Sequence, residues 1–107
     1  MGERAAAYYL IDQGYTILER NWTCALGEID IIARDGEVLC IVEVKRRLSV
    51  RKGPPEEALT SRKRKKLEKL AGMYLRSRAD RASNVRLDFV AVDDSKDRRE
   101  IRLYKGI

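Results

Sequence analysis

Histidine is absent from the 107 residues, and cysteine occurs only twice, at Cys24 and Cys40. Without histidine no His-dependent triad can be assembled, and the two cysteines lack the spacing of a zinc site. They set up no disulfide framework either, and Cys40 reads as a small buried hydrophobe in a strand. No apolar run reaches the roughly 18 residues of a membrane span. A signal peptide and a lipidation motif are also missing. A soluble, cytoplasmic protein with no membrane partner is therefore expected. Internal repeats and low-complexity segments are absent as well.

What the chain has in quantity is charge. Charged residues make up 37% and apolar residues 44%, a globular balance. Twenty-three lysines and arginines against 17 acidic residues leave a net charge of +6. Such an excess favours a polyanionic partner, of which nucleic acid is the usual one. The length suits one domain over residues 1–107, with a single core.

The pattern is organised around Gly27–Arg47, GEIDIIARDGEVLCIVEVKRR. Two strands, Gly27–Arg34 and Glu37–Arg46, are expected to flank a tight Asp35-Gly36 turn, because Asp-Gly between β-branched runs supplies the positive φ of a type I′ turn. Pairing Arg34 with Glu37 sets Glu28 across from Glu43 and Asp30 across from Ile41. By alternation Glu28 and Asp30 share a face, as do Glu43 and Lys45. Three carboxylates and one ammonium then converge on one face. Both strands are apolar on both faces, so the sheet is covered on both sides. Carboxylates crowded there repel one another and call for a cation. Asp30 and Glu43, diagonal neighbours roughly 7–8 Å apart at Cα, can both reach one ion. Oxygen-only ligands point to Mg²⁺ or Mn²⁺.

Before the hairpin, Gly2 to Gln13 reads as a helix stopped by Gly14. Glu3, Ala6, Ala7 and Leu10 fall on one helical face. Glu3 then either complements the helix dipole or points a further acid at the hairpin. Tyr15 to Trp22 reads as a strand, with Trp22 in core or rim packing or, as the alternative, a base-stacking position.

After the hairpin, the basic stretch from Arg46 to Pro55 reads as a loop, in which Arg46, Arg47, Arg51 and Lys52 are set to meet phosphates. Glu56 to Leu59 suits a helical turn. Thr60 then caps a helix to about Arg78. Leu67, Leu70, Ala71, Tyr74 and Leu75 mark its buried stripe. One turn back from Leu67, Lys63 points toward the sheet, either snorkelling or serving the site. Arg62, Arg64, Lys65 and Lys66 form a basic patch. No aromatic residue is interleaved among these cations, which argues against stacking and sequence readout by them. Ala79 to Asn84 reads as a connector. Val85 to Val92 follows as a strand parallel to Glu37–Arg46, with Arg86, Asp88 and Val90 on one face, and Glu100 to Tyr104 as an edge strand. The order is αβββαββ, a mixed five-stranded sheet flanked by helices.

Asp30 followed by Glu43-Val44-Lys45 on the next strand, within this order, resembles the PD-(D/E)xK nuclease core of the restriction-endonuclease-like superfamily. The pieces Gly2-Glu3, Arg20-Asn21-Trp22, Gly27-Glu28-Ile29-Asp30, Val42-Glu43-Val44-Lys45, Lys63 and Arg86-Leu87-Asp88 are more closely similar to the YraN family of small bacterial proteins. The resemblance implies a three-layer α/β core and metal-dependent hydrolysis of phosphodiesters, in DNA before RNA, with structured or branched DNA among the candidate substrates. Asp30 and Glu43 would hold the metal, with the Val44 carbonyl as a further ligand and Glu28 alongside. Lys45 would position the attacking water and stabilise the transition state, with Glu3 and Lys63 beside it. Ile29 stands where the superfamily has proline. A member that keeps only the fold and the basic surface would instead be a nucleic-acid-binding or protein-interaction module. Cutting both strands of a duplex would call for a homodimer.

Overall fold

The computed structural model describes residues 2–78 and 84–107; most of the expected connector over residues 79–84 lies outside the described residues. Helix α1 (Glu3–Asp12) is followed by strands β1 (Thr16–Cys24), β2 (Gly27–Asp35) and β3 (Val38–Arg47). Two short 3-10 turns (Val50–Lys52 and Pro55–Ala58) lead to helix α2 (Ser61–Ser77), then β4 (Val85–Asp93) and β5 (Glu100–Lys105). The strands form one sheet in the order β1-β2-β3-β4-β5. The β3–β4 pair is parallel and the other three pairs are antiparallel.

The helices cover opposite faces, which gives the three layers expected. On one face Ala6, Ala7 and Leu10 of α1 pack with Ile31, Ala33, Val42, Val90 and Val92. On the other, Leu67, Leu70, Ala71 and Tyr74 of α2 pack with Ile29, Ile32, Leu39 and Ile41. The stripe on α2 is the one its helical spacing dictates, and each buried leucine contributes about 1.5–3 kcal/mol of transfer free energy. Thr60 caps this helix, its hydroxyl accepting the Lys63 N–H at 3.1 Å. Fully buried Asp88 of β4 accepts from the Tyr15 hydroxyl (2.8 Å), Arg86 Nε (2.8 Å) and the Gly106 N–H (3.0 Å). That satisfied network ties β4 to the start of β1 and the end of β5.

Three boundaries differ from the sequence expectation. The hairpin loop is Gly36-Glu37, with Asp35 paired to Val38. Gly36 has φ +63° and Glu37 is not among the positive-φ residues. A two-residue turn with glycine first is type II′, which needs positive φ only there. The pairing therefore slides by two residues and sets Ile31 opposite Val42. A two-residue slide preserves which side chains share a face. Second, β1 continues past Trp22 to Cys24, passing through Asn21 at φ 55°. Asparagine tolerates this left-handed conformation because its short amide can bond locally. Third, β3 runs one residue past the expected Arg46 to Arg47, so the basic loop begins only after both arginines.

Candidate functional site

Strands β2 and β3 pair from Asp35↔Val38 to Ile31↔Val42, and there the ladder stops. Beyond it the Asp30 carboxylate takes the place of a backbone acceptor: the Val44 N–H donates to its Oδ2 at 2.7 Å. The same point interrupts alternation along β2. Ile31 packs on the α1 side, yet Ile29, two residues away, packs on the α2 side. On β1 the break matches, since the pairs Arg20↔Ile31 and Trp22↔Ile29 bracket the position of Asn21 and Asp30. Asp30 thus sits where the strand turns over, within reach of acids from both faces. The expectation of simple alternation, with Glu28, Asp30 and Glu43 on one face, is corrected by this turnover.

Carboxylate oxygens of Glu3, Glu28 and Asp30 lie within 4.8 Å of one another. Glu3 reaches the site because α1 starts pressed against β3. At Gly2 a Cβ would stand only 3.1 Å from the Cβ of Arg46 and 3.5 Å from Val44 Cγ1. Burial pushes the Asp30 carboxyl up to about 7, and the charges of Glu43, Glu3 and Glu28 push the same way against the Val44 N–H. Hard oxygen donors crowded in this way fit Mg²⁺ or Mn²⁺, whose charge offsets the repulsion.

Glu43, with its side chain 9% exposed, is held by a cation from the opposite layer. The Lys63 ammonium lies 3.2 Å from its Oε2. Lys63 therefore points toward the sheet, as the step back from Leu67 indicated. The ammonium beside the acids is that of Lys63, whereas Lys45 is exposed and forms no ion pair among the described residues. Lys45 lines a groove with Leu48, Lys52, Pro54, Pro55 and Glu57, where the chain leaves β3. Sequence reasoning missed the walls of this groove; the one available signal was Leu48 and Val50, apolar residues in a charged loop.

The eight cations expected at phosphates divide into two sets. Arg47 makes a paired contact with Asp93 (2.9 and 2.8 Å), and Arg46 Nε donates to Asp94 at 2.6 Å. Both arginines hold β3 to the end of β4. Arg51, Lys52, Arg62, Arg64, Lys65 and Lys66 are exposed and have no ion pair among the described residues. Lys66 lies against Gly27, one residue before Glu28, so the α2 patch adjoins the acids.

A mixed five-stranded sheet between two helices, with an acidic centre where its second and third strands part, defines a small three-layer α/β protein. The family described as "Uncharacterised protein family UPF0102", which is YraN-like, matches residues 2–92, and the chain belongs to it. A UPF0102 protein of Moorella thermoacetica is 50% identical over 92 residues, 86% of this chain and 77% of that protein. One from Chlorobaculum parvum is 49% identical over 105 residues, 97% and 81% respectively. Among the described residues no helix is long and apolar enough to cross a membrane.

Proposed function

We propose that this protein is a metal-dependent nuclease that hydrolyses phosphodiester bonds in nucleic acid, DNA before RNA. The observation that carries the reading is Asp30 at the parting of β2 and β3, fixed by the Val44 N–H and crowded by Glu3 and Glu28. A bound Mg²⁺ or Mn²⁺ supplies charge neutralisation at a phosphoryl oxygen and acidifies a bound water. Asp30, Glu3 and Glu28 would hold it, with Glu43 and the Val44 carbonyl as the further ligands that the family resemblance implies. The Val44 N–H orients the Asp30 carboxylate, and the Lys63 ammonium pairs with Glu43 beside it. Lys45, exposed two residues beyond Glu43, meets the incoming phosphate and stabilises the charge that develops on it.

A second reading, a nucleic-acid-binding module without chemistry, is favoured by one feature: Glu43 is engaged by Lys63 instead of lying within the closest acid cluster. A Mn²⁺ cleavage panel over single-stranded, nicked, flapped and four-way DNA decides between them. Cleavage that falls about 100-fold or more in both Asp30→Ala and Glu43→Ala is expected. Salt-sensitive binding with no cleavage of any substrate would leave the second reading standing.

A further inference from the structure

Where β3 ends, a groove of about 560 Å³ opens directly beside Lys45. Leu48, Pro54 and the buried Pro55 line it with apolar atoms. Beside Arg46 and Arg47, which are tied to Asp94 and Asp93, Lys45 and Lys52 give it positive charge that is unpaired among the described residues. Glu57 adds a carboxylate that has no ion pair among the described residues. That carboxylate lies against Gly53, whose backbone has φ +75° and whose missing Cβ leaves the space it occupies. Leu48 is 66% exposed and neighbouring Val50 60%, so two large apolar side chains face solvent in a strongly charged loop.

We propose, resting on the nuclease reading above, that this groove seats one unpaired nucleotide next to the scissile phosphate, so that the substrate is nucleic acid with an unpaired strand at the cut. The lining charges divide the occupant. Lys45 and Lys52 attract a phosphate, while the Glu57 carboxylate repels a second anion and leaves the rest of the groove to an uncharged ring. Leu48 and Pro54 offer exposed apolar surface to such a ring, and a base is the uncharged ring that a nucleic-acid chain carries beside each phosphate. Lys45 stands two residues from Glu43 on the same strand, so the seated nucleotide adjoins the acidic centre. A base inside an intact duplex reaches the groove only after unstacking and unpairing, at a cost of a few kcal/mol. An already unpaired strand enters without it.

The test measures binding in EDTA by fluorescence anisotropy, using a labelled ten-nucleotide DNA strand and the blunt duplex of the same sequence. The wild type is expected to bind the single strand about tenfold or more tightly than the duplex at one salt concentration. Leu48→Asp, at an exposed position that the core does not use, should weaken the single strand about tenfold and leave the duplex unchanged. Replacing all bases of the strand by abasic sites should give the same loss in the wild type and no further loss in Leu48→Asp. Equal affinity for strand and duplex, or a Leu48→Asp effect equal on both, overturns the groove assignment. The nuclease reading is scored separately, by Mn²⁺ cleavage in the wild type and Asp30→Ala. Strand-selective binding with no cleavage supports the groove and removes the nuclease. Cleavage of blunt duplex and single strand at equal rates, unaffected by Leu48→Asp, does the reverse.

Discussion

At the scale of single residues, Asp30 concentrates both the cost and the use of this fold. A carboxylate that is largely buried, faces three other acids and accepts one backbone N–H is held by its surroundings against its own electrostatics. Asn at this position keeps an oxygen for the Val44 N–H and loses the charge. Two consequences follow for Asp30→Asn. In calorimetric titration with Mn²⁺ the variant should bind at least about tenfold more weakly than the wild type. In EDTA at pH 8 it should be more stable, by on the order of 1–2 kcal/mol in urea unfolding, since like charges crowded in a poorly hydrated site oppose folding. Equal Mn²⁺ affinity, or a variant less stable than the wild type without metal, would mean that Asp30 is a structural acceptor and nothing more. Lys63 complicates any parallel experiment at Glu43, because removing that carboxylate also strands an ammonium. The Lys63 side chain is 39% exposed, however, so it can turn to water, and Glu43→Gln should change stability by less than about 1 kcal/mol.

At the scale of elements, the Pro55–Ala58 turn that borders the groove is anchored to β5 by one side chain. Glu56 accepts from Arg102 and from the Tyr104 hydroxyl at 2.6 Å. Its bond to Arg102, with that from Tyr104, holds its carboxyl down at about 2. Since this lies below the ordinary glutamate value of about 4.3, the contact contributes stability that is present above pH ~4.3 and is lost as the pH falls toward 2. Wild type and Glu56→Gln should therefore differ in melting temperature at pH 7, and the gap should close between pH 4.3 and about 2. A gap independent of pH would show that the carboxylate's charge plays no part. The elements themselves were legible in the sequence because their signals are local: the α2 stripe, the Thr60 cap and the turn back to Lys63 all follow from helical spacing. The hairpin register was not, because Gly36 satisfies a turn beginning at Asp35 or at Gly36 equally well, and only packing across β2 and β3 chooses. The turnover at Asp30 was hidden for a related reason. Ile29, Ile31 and Ile32 are apolar on either face, so a broken period of two leaves no trace in the residue pattern. Arg46 and Arg47 looked like loop cations because their partners, Asp94 and Asp93, lie more than 45 positions along the chain and arrive only through the parallel β3–β4 pair.

For the whole molecule, that pairing redistributes the net charge of +6. Cations tied to aspartates hold the sheet together, and those on α2 and the loop after β3 remain open to solvent beside the acidic centre. Binding to duplex DNA should therefore run through phosphates, with each contact releasing condensed counterions. If about four of Arg51, Lys52, Arg62, Arg64, Lys65 and Lys66 make such contacts, log K should fall against log salt with a slope near −3 to −4. Replacing Lys65 and Lys66 by alanine should weaken different duplex sequences alike and flatten the slope by up to about 2. Arg46→Ala supplies the contrast. It leaves Asp94 with Arg99 alone, so it should lower the melting temperature while the slope stays as in the wild type. Anisotropy titrations between about 50 and 200 mM salt read both quantities. If Arg46→Ala flattened the slope as much as the lysine pair does, the division into structural and phosphate-binding cations would be wrong. An affinity independent of salt would place recognition outside the basic surface altogether.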